Sequence, residues 1–117
     1  MKLIKFKGWS KQKQEWLCGS LCQIGGNAYI MTIYGDMSEV DARSLGQWCG
    51  LHDKFGNEVY SGDILRFTSL TGRAYTRSVV FVAPSFVARD TNGVTFTDEL
   101  KSAHTAIVVG NTYNVQK

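Results

Sequence analysis

Cys18, Cys22, Cys49 and His52 are the residues of this 117-residue chain whose types and spacing most readily suggest chemistry. Cys18 and Cys22 lie four apart, and Cys49 and His52 three apart, close to the spacings at which zinc ligands recur. A zinc ion needs four donors within about 2.0–2.3 Å of one point. The segment that carries Cys18 and Cys22 reads as a strand. Positions four apart on a strand share a face but stand about 13 Å apart, at roughly 3.3 Å per residue. Without a sharp bend at Gly19 the two sulfurs cannot meet at one ion. We therefore read all three cysteines as free thiols and expect no metal.

Other catalytic arrangements are no better supported. Cys49 with His52 or His104 lacks both an orienting acid and the strained turn that exposes a nucleophile. Asp53, Glu58 and Asp63 carry the oxygen ligands that a magnesium-dependent nuclease requires. They stand in turn-rich sequence, where aspartate more commonly accepts backbone N–H bonds. The chain contains no P-loop, dinucleotide fingerprint or HExxH motif. It reads as a non-enzyme, with no catalytic residue, no cofactor and no evident small-molecule substrate.

Basic residues interleaved with aromatics are the stronger signal. Lys5, Lys7 and Trp9 stand at alternate positions near the N-terminus, and Arg66, Arg73, Tyr75 and Arg77 stand in a later hairpin. Strand alternation puts Arg73, Tyr75 and Arg77 on one face. Such a surface suits a phosphate backbone with rings stacked on bases, or a protein interface anchored by aromatic and arginine side chains. These seven residues are the candidate partner-binding set. The bland alternative is a solvated strand face whose charges discourage edge-to-edge aggregation.

Composition sets the limits. The chain is 44% hydrophobic, with twelve glycines against one proline, which describes a folded domain rich in tight turns. Its net charge of +3 is mild, although Lys2, Lys5, Lys7, Lys11 and Lys13 all precede the first acid, Glu15. The odd cysteine count and the lack of a signal peptide or an apolar run of membrane-spanning length predict a cytoplasmic protein.

The elements that must position these residues are mainly β. Leu3 to Trp9, Glu15 to Gln23 and Ala28 to Tyr34 read as an antiparallel meander, the last rich in β-branched and aromatic residues. Met37 to Arg43 reads as one helical turn begun at Ser38, or as a crossing loop. After it, strands at Ile64 to Thr68, Arg73 to Val82, Phe86 to Arg89, Val94 to Thr97 and Thr105 to Val109 are separated by turn signals. A short helical link covers Asp98 to His104. The fold class expected is mainly β with minor α: a single domain over residues 1–117, with a meander over 1–35 packed on a small, partly open SH3-like barrel over 44–117. No internal repeat or low-complexity segment is evident.

Between these parts lies the densest local signal, Gly46-Gln47-Trp48-Cys49-Gly50-Leu51 followed by Asp53-Lys54-Phe55-Gly56-Asn57-Glu58-Val59-Tyr60-Ser61-Gly62-Asp63-Ile64. With the opening Ile4-Lys5-Phe6-Lys7-Gly8-Trp9 and the closing Val109-Gly110-Asn111-Thr112-Tyr113, it resembles the YopX-like family of phage and prophage proteins, in order and over nearly the whole chain. Cys49, Phe55 and Ser61 depart from the usual threonine, asparagine and glutamate of that pattern, while its turn glycines are kept. The resemblance implies a mostly β fold and a mobile-element origin. It transfers no catalytic residue, because no activity characterises the family. On the residues themselves, Gly56 and Gly62 supply positive-φ positions, and Asp53 and Asp63 can each accept the N–H two residues on. The signature is thus expected to be structural.

The function expected is that of a non-catalytic accessory protein that binds a macromolecule: a host or phage protein, or a second copy of itself. A nucleic-acid-binding barrel is the alternative and a metal-dependent nuclease a distant third. The 12% aromatic content beside a small basic excess favours a protein partner.

Overall fold

A computed structural model describes residues 4–113 of the chain. Lys2 and Leu3, which open the basic run and the first expected strand, lie outside the described residues. The chain is mostly β, in two antiparallel sheets, as the alternation and turn signals require. It divides into two compact units. One comprises the chain up to Trp48 together with Tyr113, and the other Cys49–Thr112.

In the N-terminal unit, β1 (Phe6–Ser10), β2 (Glu15–Ile24), β3 (Asn27–Met31) and β4 (Met37–Val40) follow one another as a meander. β2 serves two neighbours in turn: Glu15 to Gly19 pair with β1, and Ser20 to Ile24 pair with β3. Leu17, Ala28, Ile30 and Val40 form the core, with Phe6, Leu21 and Leu45 packed against it. β4 corrects the expectation of a helical turn begun at Ser38 or a crossing loop. Val40 is needed opposite Ala28 to complete this core, so Met37–Val40 extends along β3. The only helical geometry nearby is a 3-10 turn at Ala42–Ser44, capped by the Asp41 carboxylate, which accepts the Arg43 N–H at 3.0 Å.

β1 also spends its second edge. Lys7 and Phe6 pair with Gly46 and Gln47 at the start of β5 (Gly46–His52). Further along, the Trp9 N–H donates to the Ser44 hydroxyl at 2.7 Å and its carbonyl accepts the Asp41 N–H at 2.9 Å.

In the second unit, β5 continues to the neighbouring β6 (Glu58–Tyr60). A five-stranded antiparallel sheet follows, in the order β10 (Thr95–Phe96), β9 (Ser85–Arg89), β8 (Ala74–Val82), β7 (Asp63–Thr68), β11 (Ile107–Asn111). Val59, Leu65, Phe67, Val79 and Ala88 are buried against Leu100 and Ala103 of the 3-10 segment Glu99–Thr105 and against Ala106. Each large aliphatic side chain withdrawn from water in this way contributes about 1.5–3 kcal/mol.

One turn design recurs four times, a regularity below the scale at which the sequence reads as repetitive. Thr32–Asp36, Asp53–Asn57, Ser69–Arg73 and Asp90–Val94 each begin with a side-chain oxygen and carry glycine at the fourth position. In each, the first N–H donates to the fifth carbonyl and the glycine N–H donates to the first carbonyl, at 2.8–3.1 Å. The leading side chain accepts the third N–H in three of them, from Tyr34, Phe55 and Asn92. In the fourth, the Ser69 hydroxyl accepts the Arg73 N–H. Gly35, Gly56, Gly72 and Gly93 all lie at φ between +83° and +85°, the left-handed bulge position of such hairpins.

Gly62 is constrained differently. It has φ +94°, and a Cβ there would lie 3.3 Å from the Asn111 amide nitrogen. Its N–H donates to the Val79 carbonyl and its carbonyl accepts the Thr112 N–H, both at 2.7 Å. Gly62→Val is expected to destabilise the protein by about 1–2 kcal/mol through left-handed strain alone. Urea unfolding should show the midpoint falling with the slope retained; an unchanged midpoint would contradict the structural role.

Candidate functional site

The signature carboxylates are occupied by the backbone. Asp53 is only 4% exposed. Its Oδ1 accepts the N–H groups of Phe55 and Asn57, each at 2.9 Å, as an Asx-turn does. Its Oδ2 accepts the Val108 N–H at 3.0 Å and the Asn57 side-chain amide at 3.2 Å. Asp63 does not cap forward as expected. It reaches back to accept the Tyr60 N–H at 2.8 Å and across to the Asn111 side-chain amide at 3.0 Å. Glu58 accepts the Tyr60 hydroxyl at 2.9 Å. Both aspartates therefore fasten the signature to β11, where Asn111 belongs to the closing motif and Val108 immediately precedes it.

The three cysteines are free thiols. Cys18 is exposed on β2 opposite Lys7, and Cys22 lies opposite Tyr29. Cys49 donates its thiol to the Val59 carbonyl at 3.0 Å, and burial pushes that thiol's pKa up. Among the described residues no group of three or more His, Cys, Asp or Glu is placed to hold a metal ion.

The second basic–aromatic stretch is not one surface. Register pairs Leu65 with Arg77, Phe67 with Tyr75 and Arg66 with Thr76. Tyr75 and Arg77 thus share the face of the buried Leu65 and Phe67, whereas exposed Arg66 is on the other face. Tyr75 stacks on Phe67 with ring centroids 5.4 Å apart. Arg77 lies between the rings of Tyr75 and Phe96, at 4.7 and 4.4 Å, and donates to Glu99 at 2.7 Å. Arg73 is exposed in its turn. Alternation groups Tyr75 and Arg77, as the register has them, but that side is the packed one, and Arg73 precedes β8 in the turn. A loss of binding in Arg77→Ala would therefore report on packing as well as on contact.

The first stretch belongs to a true cluster. Trp9 is 5% exposed, so its ring serves as a wall and not as a contact. It meets Trp16 edge-on at 5.6 Å, and Trp16 meets Tyr113 edge-on at 6.0 Å. The Lys7 ammonium lies 4.8 Å above the Trp16 ring and the Lys5 ammonium 4.5 Å above the Trp48 ring. Each such contact is worth about 0.5–1 kcal/mol at a surface. Tyr113 donates its hydroxyl to Asp41 at 2.7 Å, and Arg43 and Lys11 pair with the same carboxylate at 2.9 and 3.5 Å. The hydrogen bonds from Arg43 and Tyr113 hold the Asp41 carboxyl well below the usual carboxylate range. The three tryptophans of the chain thus stand in one unit, with lysines over two of them. Sequence reading found Lys5, Lys7 and Trp9 but missed Trp16, Trp48, Tyr113 and Asp41. The pairing of Trp9 with Trp16 across the Ser10–Glu15 turn was the available clue.

Asp53 sets a pH dependence. Burial raises its pKa, but the hydrogen bonds from Val108, Asn57 and Phe55 outweigh that and leave it lowered. A carboxyl with a depressed folded pKa stabilises the fold above its unfolded value, near 4, and that stability is lost as pH falls through the lower folded value. Asp53→Asn keeps one acceptor and removes the charge. It is expected to cost about 1–3 kcal/mol at pH 7 and to shrink the loss of stability between pH 5 and 2, as read by thermal denaturation across pH. An unaltered acid limb would contradict this assignment.

Comparison with known proteins agrees with the fold. Protein EF1440 from Enterococcus faecalis, a crystal structure, superposes with a TM-score of 0.51 at 16% identity, over 95% of this chain and 94% of that one. No curated protein matches the chain. The family model for YopX protein matches residues 5–116, which contain the fastened signature, the lysine–tryptophan cluster and the closing β11 motif. The chain belongs to the YopX family.

Proposed function

We propose that this is a non-catalytic accessory protein of phage or prophage origin, working in the bacterial cytoplasm by binding another protein through the lysine–tryptophan face of its N-terminal unit. The observation that carries this reading is the grouping of half-buried Trp16 and Trp48 beneath the Lys7 and Lys5 ammoniums. Half-buried tryptophans offer large apolar area with little side-chain freedom left to lose, the property of interface anchors. The lysines above them would meet carboxylates of a partner while the rings below exclude water.

Nucleic acid is the second reading. It is weaker because a base stacking on either ring must first displace the lysine over it. Arg77 is also engaged with Glu99, and the net charge is only +3. Among the described residues no helix is long and apolar enough to cross a membrane, so no lipid-embedded partner site is invoked.

Affinity capture from nuclease-treated host lysate, comparing the natural chain with Lys5→Glu/Lys7→Glu, tests the proposal. A protein is expected to be retained by the natural chain and bound on the order of tenfold more weakly by the variant, about 1.4 kcal/mol. Circular dichroism should confirm that the variant remains folded. Capture abolished by nuclease would overturn it. Binding to short single-stranded DNA or RNA, weakening by about 0.7–0.9 log unit of affinity per log unit of salt for each phosphate contacted, would establish the second reading instead.

A further inference from the structure

The turn that joins β3 to β4 presents two large apolar side chains to solvent. Ile33 is 90% exposed and Tyr34 is 84% exposed. Its backbone is fixed: Thr32 N–H to the Asp36 carbonyl at 2.9 Å, Gly35 N–H to the Thr32 carbonyl at 3.0 Å, and Tyr34 N–H to the Thr32 hydroxyl at 3.3 Å. The three turns of the same design carry Lys54-Phe55, Leu70-Thr71 and Thr91-Asn92 at these two positions. Only this one shows two apolar residues together, and Asp36 follows them. A rigid tip of this kind loses little freedom when it is buried.

The same turn forms one wall of a cleft of about 540 Å³ in the same unit. That is within the range of about 300–1,000 Å³ typical of ligand sites. Trp16 and Leu17 supply apolar lining, and the Lys5 and Lys13 side chains add positive charge. Glu15 and the turn's own Asp36 share the lining, so the patch carries both signs of charge, as a surface that pairs with its own copy requires. Tip and cleft are therefore complementary in kind, with Ile33, Tyr34 and the Asp36 carboxylate on one and Trp16, Leu17 and the Lys13 ammonium on the other. A residue pair that both walls a cleft and projects from it can exchange places with its equivalent across a two-fold axis, which buries both tips and closes the assembly.

We infer that the protein self-associates as a two-fold dimer, with the Ile33–Tyr34 tip of each copy seated in the other copy's cleft and Asp36 facing Lys13. The dimer shares Lys5 and Trp16 with the partner-binding face but not its test: a strictly monomeric chain would end this inference and leave the capture experiment to decide the other.

Sedimentation equilibrium from about 1 μM to about 1 mM, the span of weak to moderate affinities, reads the outcome directly. The natural chain should pass from monomer to dimer mass in that range. Tyr34→Asp, at an exposed position, should shift the midpoint at least tenfold upward. Asp36→Lys and Lys13→Glu should each weaken association, and the double variant Asp36→Lys/Lys13→Glu should recover it. A monomer throughout the range would overturn the inference. So would a dimer indifferent to Tyr34→Asp, or mass that grows without limit instead of stopping at two copies.

Discussion

The carboxylate of Asp53 is the constraint on which the second unit depends. It belongs to a tight turn yet is nearly sealed from water, so each of its lone pairs must find a donor inside the protein. Three of those donors come from the turn itself, and the fourth is the Val108 amide, 55 residues away. A local motif is thereby made to require a distant strand. The Lys54 N–H repeats the tie by donating to the Ala106 carbonyl at 2.8 Å, and Asp63 with Asn111 repeats it at the other end of β11. Breaking one partner would leave buried donors unmet, which costs more than the bond itself contributes.

That arrangement gives the carboxylate of a motif dense in Asp, Gly and Asn a structural task. A carboxylate that accepts four hydrogen bonds has little capacity left for a metal or a substrate proton. The same economy applies to Arg77, held between two rings and Glu99. Charged residues that look available in a sequence are, in this protein, often the polar components of the core boundary.

What could be read without coordinates was what local rules decide. The turn at Asp53–Asn57, the strand alternation and the mainly β class follow from period and turn chemistry. The placement of Tyr75 and Arg77 on one side also follows, because strand parity is local. Which side faces the core does not, since it is set by Leu65 and Phe67 on the neighbouring strand. β4 was missed for a similar reason. Met37-Ser38-Glu39-Val40 has weak strand preference by itself, and only the vacancy opposite Ala28 makes it one. The tryptophan cluster was half legible. Trp9 and Trp16 flank one turn, but Trp48 and Tyr113 reach the same unit from far along the chain.

The gathering of Trp9, Trp16 and Trp48 in the N-terminal unit has an optical consequence. The Cys49–Thr112 unit contains no tryptophan, although it has Tyr60 and Tyr75. Indole emission excited at long wavelength therefore arises from one unit alone, and its colour reports the wetting of those rings without contribution from the other. Circular dichroism of the peptide groups senses both. If the two signals are followed together during denaturation, coincident curves mean the units melt as one, and separated curves give each its own stability, with no label or truncation needed.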